Sequence, residues 1–215
     1  MWDNRPMEWT SAIKEFVSLF AIIDPIGAVV FFIGLAGNRP AGEQAKTARV
    51  AVLTMGTTLV ASIFLGDYLL WFLGISIHSF RVAGGVLIFL TGIAMLGGYG
   101  PSIRQTPSEQ DETTDRSAVA IVPLGIPLLA GPGAITTAVI TAQSAKTPQG
   151  LLLLSLIVLV ISLITFFIFV SADKISRIMG RTGMNIFSRL LGLLLSAISV
   201  EFIAAGLRGL FPALA

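Results

Sequence analysis

Two short segments combine residue types that an apolar chain otherwise avoids. Asp24-Pro25-Ile26-Gly27 lies inside an apolar run from about Ser11 to Ala36, and Ala130-Gly131-Pro132-Gly133 interrupts another run about half the chain later. Proline removes a backbone donor and clashes with the preceding turn, and glycine leaves the backbone bare. A carboxylate at mid-membrane depth costs about 2.5–3.5 kcal/mol on insertion scales. A helix broken in this way exposes N–H groups where its second half starts and carbonyls where its first half ends. The former bind anions and the latter cations, each assisted by the helix dipole. Two opposed breaks can therefore hold a zwitterion. The carboxylate of an amino acid would meet N–H groups around Gly27-Ala28 or Gly133-Ala134, and its ammonium would meet carbonyls or Asp24. The candidate binding set is Asp24, Pro25, Ile26, Gly27 and Ala28 with Gly131, Pro132, Gly133, Ala134 and the hydroxyls of Thr136 and Thr137. The competing reading is a pair of proline kinks without a ligand.

Asp24 itself admits three roles: contact with a substrate ammonium, carriage of a coupling proton, or an N-cap on the half-helix that begins at Pro25. Glu201, midway along the last apolar run, is the other carboxylate at membrane depth. It either takes part in ion coupling or bonds a hydroxyl on a neighbouring span. Asp67 and Asp173 fall near span ends, where solvation is cheaper and a shared structural job is the simpler reading. Arg81 and Arg189 start spans, where they snorkel or pair with carboxylates. His78, the single histidine, is weak evidence for a metal or proton site.

The elements that must position these residues are membrane spans. Of the 215 residues, 54% are hydrophobic and only 12% charged, against roughly 25% charged in a soluble domain. Apolar runs near the roughly 20 residues that cross a bilayer recur along the chain. The net charge of +2 is scattered, so it reflects topology rather than a nucleic-acid partner. The absence of cysteine excludes disulfides, Cys-ligated metals and CxxC electron relay. No G-x-S-x-G, H-E-x-x-H or P-loop occurs, so neither an enzyme nor an ATP-driven pump is indicated, and no cofactor is implied.

Six spans are expected, at about Ser11–Ala36, Val50–Phe72, Phe80–Leu96, Ala118–Ala142, Leu151–Ala172 and Phe187–Leu210, with a polar loop from Asn38 to Arg49. They form one transmembrane domain, 1–215: a first repeat over about 11–97, a cytoplasmic linker over about 98–117, and a second repeat over about 118–210. The repeat rests on three anchors. Pro25 and Pro132 are 107 positions apart, Asp67-x6-Gly74 and Asp173-x6-Gly180 are 106 apart, and Arg81-x-x-Gly84 and Arg189-x-x-Gly192 are 108 apart. Three spans per unit insert the second copy upside down. The expected fold is therefore all-α, six transmembrane helices as two inverted three-helix repeats, with helices 1 and 4 broken near the bilayer midplane. Nine Lys and Arg flank the loops after spans 1, 3 and 5, against five on the opposite side, which places both termini outside. Small-residue faces such as Gly84-Gly85 serve packing within the chain or between copies of it.

The combination of Asp24-Pro25-Ile26-Gly27, Gly74-Ile75-Ser76-Ile77 with Phe80-Arg81-Val82-Ala83-Gly84-Gly85, Val122-Pro123-Leu124-Gly125-Ile126-Pro127, Ala130-Gly131-Pro132-Gly133-Ala134 and Arg189-Leu190-Leu191-Gly192 resembles the MarC family of integral membrane proteins. That family includes the small neutral amino acid transporter SnatA, and the likeness is nearest its YchE-type members. The resemblance implies six spans in the inner membrane and transport of glycine, alanine and similar small neutral amino acids, coupled to an ion gradient, protons first. The alternatives are an exporter of another small polar metabolite, or a structural or regulatory membrane protein that transports nothing.

Overall fold

A computed structural model of the chain describes residues 9–37, 39–97, 125, 129–145 and 147–214. Seven α-helices account for most of them, and no strand occurs among the described residues. They are α1 (Trp9–Ile23), α2 (Ala28–Ala36), α3 (Ala41–Phe72), α4 (Ile77–Leu96), α5 (Pro132–Ala145), α6 (Pro148–Val170) and α7 (Ala172–Leu210). By length and composition α3, α4, α6 and α7 can each cross a membrane, and α1 with α2 makes a further apolar pair bent by 45°. The bent pair is a broken span or a re-entrant segment. The expected linker over 98–117 lies outside the described residues. So does most of the first part of the expected fourth span, where only Gly125, Leu129, Ala130 and Gly131 precede α5.

Two boundaries differ from the expectation. The segment expected as a polar loop up to Arg49 is helical from Ala41, so α3 has 32 residues. Its polar start is rich in Ala, Glu, Gln, Lys and Arg, all good helix formers. Pro40, at φ −55° and ψ 147°, is the non-helical residue that sets the start of the helix. Gln44 Nε2 then donates back to the carbonyls of Gly37 (3.1 Å) and Arg39 (3.0 Å). Likewise α7 begins at Ala172 and runs through the segment expected to join the last two spans, broken only at Gly180.

Gly74, between α3 and α4, and Gly180 share one property: φ is +67° and +62°. A Cβ at either would meet nothing within 4 Å, so the backbone conformation and not space demands glycine there. Gly74→Ala and Gly180→Ala are each expected to cost about 1 kcal/mol, read as a lower thermal midpoint of the detergent-purified protein. Gly34→Ala is the control. Its site in α2 is equally open and its backbone is helical, so that change should stabilise or be neutral.

The main core joins α1, α2, α3, α5, α6 and α7 through Leu19, Phe32, Met55, Ala138, Leu154, Phe169 and Met184, all with essentially no exposed surface. Phe32 of α2 stacks on Phe169 of α6 with ring centroids 4.6 Å apart. The most extensive helix pair is α4 on α7. Its seam is made by glycines. A Cβ on Gly92 would lie 2.8 Å from the Gly192 carbonyl, and one on Gly192 would lie 2.8 Å from the Gly92 carbonyl. The backbones therefore touch, as small residues allow in lipid. Most of the larger remaining pairings come in matched sets: α1 on α5 and α3 on α6; α3 on α5 with α1 on α6; α4 on α5 with α1 and α2 on α7. At one end of the bundle Gly209 of α7 abuts His78 of α4, Arg81 of α4 reaches Ser144 of α5, and Gln143 of α5 reaches Asp67 of α3.

Candidate functional site

The first break starts where α1 ends. Pro25 pushes the residue before it out of the helical region, and Asp24 takes φ +41°, a left-handed value that Asp tolerates better than most side chains. The Asp24 N–H still donates to the Phe20 carbonyl, and the Asp24 carbonyl accepts from the Ala28 N–H, both at 3.0 Å. The first turn of α2 is tightened by bonds from Val29 to the Ile26 carbonyl (3.2 Å) and from Val30 to the Gly27 carbonyl (3.3 Å).

The side chain of Asp24 folds over this start. Its Oδ1 accepts the Gly27 N–H at 3.0 Å, and its Oδ2 accepts the Ser188 hydroxyl of α7 at 2.7 Å. Asp24 therefore closes the turn that leads into α2 with an i to i+3 side-chain bond of the capping kind, and also tethers that turn to α7. Gly27 has no space to spare: a Cβ there would lie 2.1 Å from Asp24 Oδ2 and 2.4 Å from Ser188 Oγ. The room beside Gly27 holds the chain's own carboxylate and hydroxyl. Pro25 and Ala28 are buried, and Ile26 and Gly27 are half-buried.

The second break has the same frame. The Ile135 N–H donates to the Gly131 carbonyl at 3.0 Å, which repeats the Ala28–Asp24 bond 107 positions later. Just before it the Ala130 N–H reaches back five residues to the Gly125 carbonyl at 3.0 Å. Among the described residues no carbonyl takes the N–H groups of Gly133 or Ala134, the donors that Pro132 leaves at the start of α5. Gly131 is half-buried, Pro132 exposed, and Gly133 and Ala134 buried.

The two breaks adjoin. A Cβ on Gly133 would sit 3.5 Å from Ile22 Cγ2, two residues before Asp24, and 3.3 Å from Ile88 Cγ1 of α4. Thr136 and Thr137 are both buried but differ in use. The Thr136 methyl fills the notch left by Gly84, whose Cβ would fall 1.8 Å from it. The Thr137 hydroxyl is enclosed with no partner among the described residues. Glu201 is exposed on α7, thirteen residues beyond Ser188 or roughly 20 Å along the axis, so it does not join Asp24.

Sequence reasoning missed Ser188, whose contact with Asp24 joins residues 164 apart. Its only signal is its place directly before the Arg189-x-x-Gly192 anchor. It also missed Glu15 of α1, half-buried with Oε2 enclosed and unpartnered among the described residues.

The model of the MarC family integral membrane proteins matches residues 9–211. This chain belongs to the MarC family. Relatives of this MarC protein include the UPF0056 membrane protein YhcE of Escherichia coli (strain K12), 36% identical over 201 residues and 94% of each chain. The UPF0056 membrane protein BU267 of Buchnera aphidicola subsp. Acyrthosiphon pisum is 36% identical over 202 residues, again 94% of each chain. The UPF0056 membrane protein PH0760 of Pyrococcus horikoshii is 37% identical over 204 residues, 93% of this chain and 98% of its own. No solved structure gives a significant match. The MarC protein is thus an integral membrane protein with several apolar helices.

Proposed function

We propose that this MarC protein is a secondary transporter of small neutral amino acids such as glycine, alanine and serine, and not an enzyme. Its substrate lies between the Asp24–Gly27 break and the start of α5. The observation that carries the reading is the unequal pair of breaks. Both have the same backbone frame, yet only the first holds a carboxylate, which takes the Gly27 N–H, whereas the matching Ala134 N–H and its neighbour on Gly133 have no acceptor among the described residues. A zwitterion fits such a pair in one orientation. Its carboxylate meets the Gly133 and Ala134 N–H groups and the Thr137 hydroxyl, and its ammonium meets Asp24.

The reading takes the architecture as six crossings in two inverted repeats within the inner membrane, with both termini outside. It is supported by the matched helix pairings and by the two left-handed glycines 106 positions apart. Asp24 is also the group placed to exchange a coupling proton, since a substrate ammonium or a proton would each compete with its bonds to Gly27 and Ser188. Glu201, facing outward on α7, lies away from that exchange.

Proteoliposomes loaded with unlabelled glycine test the reading. Labelled glycine should accumulate transiently above its equilibrium level, and Asp24→Asn should slow that counterflow or change its pH dependence while leaving the protein folded. Absence of exchange with glycine, alanine and serine would overturn the assignment and leave an exporter of another small polar metabolite.

A further inference from the structure

One cleft away from the breaks has an apolar floor and a charged mouth. It encloses about 380 Å³ where α3, α5 and α6 meet, near the small end of the roughly 300–1,000 Å³ usual for ligand pockets. Ile63 of α3 with Val139 and Ala142 of α5 are buried and make the floor. Phe64 and Tyr68 of α3 flank it and are exposed, and Asp67 and Gln143 stand at the mouth. Asp67 is itself exposed and lies five residues before the end of α3, roughly 7 Å along the axis.

The mouth is built of acceptors. An ionised carboxylate only accepts, so Gln143 meets Asp67 Oδ1 through its amide Nε2. That orientation leaves Asp67 Oδ2 and Gln143 Oε1 as acceptors with no partner among the described residues. No cationic side chain among those residues pairs with Asp67 or lines the cleft. The charge of Asp67 is therefore uncompensated, and the ring faces of Phe64 and Tyr68 add to its attraction for a cation.

The same lining narrows the kind of cation. One carboxylate and one amide oxygen are far short of the six or more oxygens that calcium takes, and no group of three or more His, Cys, Asp or Glu placed to hold a metal occurs among the described residues. A zwitterion or a phosphate-bearing headgroup would bring an anion into a cleft whose described walls carry nothing basic. An organic ammonium with an apolar body matches both parts: N–H donors for the two oxygens, and hydrocarbon for the floor. The arrangement occurs once. Asp173 stands 106 positions after Asp67, but the position 107 before Gln143 is Ala36, which has no amide to offer.

We infer that this cleft binds a primary organic ammonium with an apolar body, its N–H groups on Asp67 and Gln143 and its body on the floor between Phe64 and Tyr68. The site goes beyond the transport reading and does not rest on it, since the carboxylate at the breaks is Asp24.

The chain contains no cysteine, so one introduced thiol reports on the cleft. Leu151 of α6 lines it, whereas its neighbour Leu152 is 69% exposed and does not. Leu151→Cys and Leu152→Cys are labelled in purified protein with methyl methanethiosulfonate, and 2-phenylethylammonium is the probe. It should slow labelling at 151 and leave 152 unchanged. 2-Phenylethanol, similar in shape but uncharged, should need roughly five- to tenfold more for the same protection, the size of one contact charge pair in a watery site. The ammonium should need a similar excess when Asp67→Asn is added, a change that keeps an acceptor for Gln143. Glycine should protect far less than the probe. Equal protection by the ammonium and the alcohol, an unshifted response in Asp67→Asn, or equal slowing at 151 and 152 overturns the site. Glycine protection as strong as that of the probe overturns the assignment to an apolar amine. Loss of glycine counterflow with this protection retained would sink the transport reading and leave the cleft as described.

Discussion

Asp24→Ala is expected to destabilise the protein by about 2–4 kcal/mol, well beyond Asp24→Asn. Three losses combine in the alanine variant. The Gly27 N–H loses its cap at 3.0 Å, and the half-buried Ser188 hydroxyl loses its acceptor at 2.7 Å. Alanine also lacks the side-chain bonding that eases φ +41°. Asparagine keeps an acceptor for Gly27, offers a partner to Ser188 and tolerates the left-handed backbone, so its cost should stay below about 1 kcal/mol. Thermal midpoints in one detergent compare the two. Ser188→Ala closes a double-mutant cycle, in which Asp24 and Ser188 should couple by about 1 kcal/mol. Equal midpoints for wild type and Asp24→Ala would show that the carboxylate does not hold the break. Because Asp24→Asn preserves the fold, its effect on glycine exchange isolates the chemistry of the charge.

Gly192→Leu should be the most damaging single change in the α4–α7 seam, with an expected cost of about 3 kcal/mol or more and loss of a monodisperse peak in size-exclusion chromatography. A Cβ at 192 would lie 2.8 Å from the Gly92 carbonyl, 2.8 Å from Met95 Cβ and 3.2 Å from the Leu96 nitrogen. Two of those three atoms are backbone, so rotation of a side chain gives no relief and the helices must part. Gly192→Ala has the same first clash in milder form and should cost about 1–3 kcal/mol. Gly92→Ala strains the same contact from the other side, since its Cβ would lie 2.5 Å from Ser196 Oγ and 2.8 Å from the Gly192 carbonyl. The pair of alanine changes should therefore cost less than the sum of the singles, because one separation of the helices accommodates both. Additive losses would mean that the two glycines act independently.

The break between α1 and α2 was legible in the sequence because aspartate, proline and glycine together conflict with a continuous apolar helix. The 106- and 108-residue offsets picked out Gly74, Gly180 and the Gly84 and Gly192 anchors, and the structure gives these four glycines two physical jobs: left-handed turns for the first pair, close helix contact for the second. What hydropathy does not mark is where a helix ends once it leaves the apolar run, so the polar start of α3 reads as a loop although its residues favour helix. Ser188 has no spacing rule to announce it, since a lone hydroxyl in an apolar span satisfies itself on its own backbone as readily as it caps a distant helix. The rotational phase of α7 is likewise set by its packing on α4, which is why Glu201 turns outward. Thr136 reads from its neighbours in sequence as a ligand contact, and only Gly84 opposite reveals that its methyl is filling a gap.

The nine residues of α2 form a short beam clamped at both ends. At one end Asp24 fixes its first turn and grips Ser188 of α7; at the other, Gln44 of α3 holds the carbonyls of Gly37 and Arg39. A beam so held cannot tilt until one clamp opens. The Gln44 bonds join neutral groups, whereas the Ser188 bond ends on a carboxylate and is the stronger kind. The Asp24 end is therefore the firmer of the two, and the residue that marks the break is also the anchor of the beam.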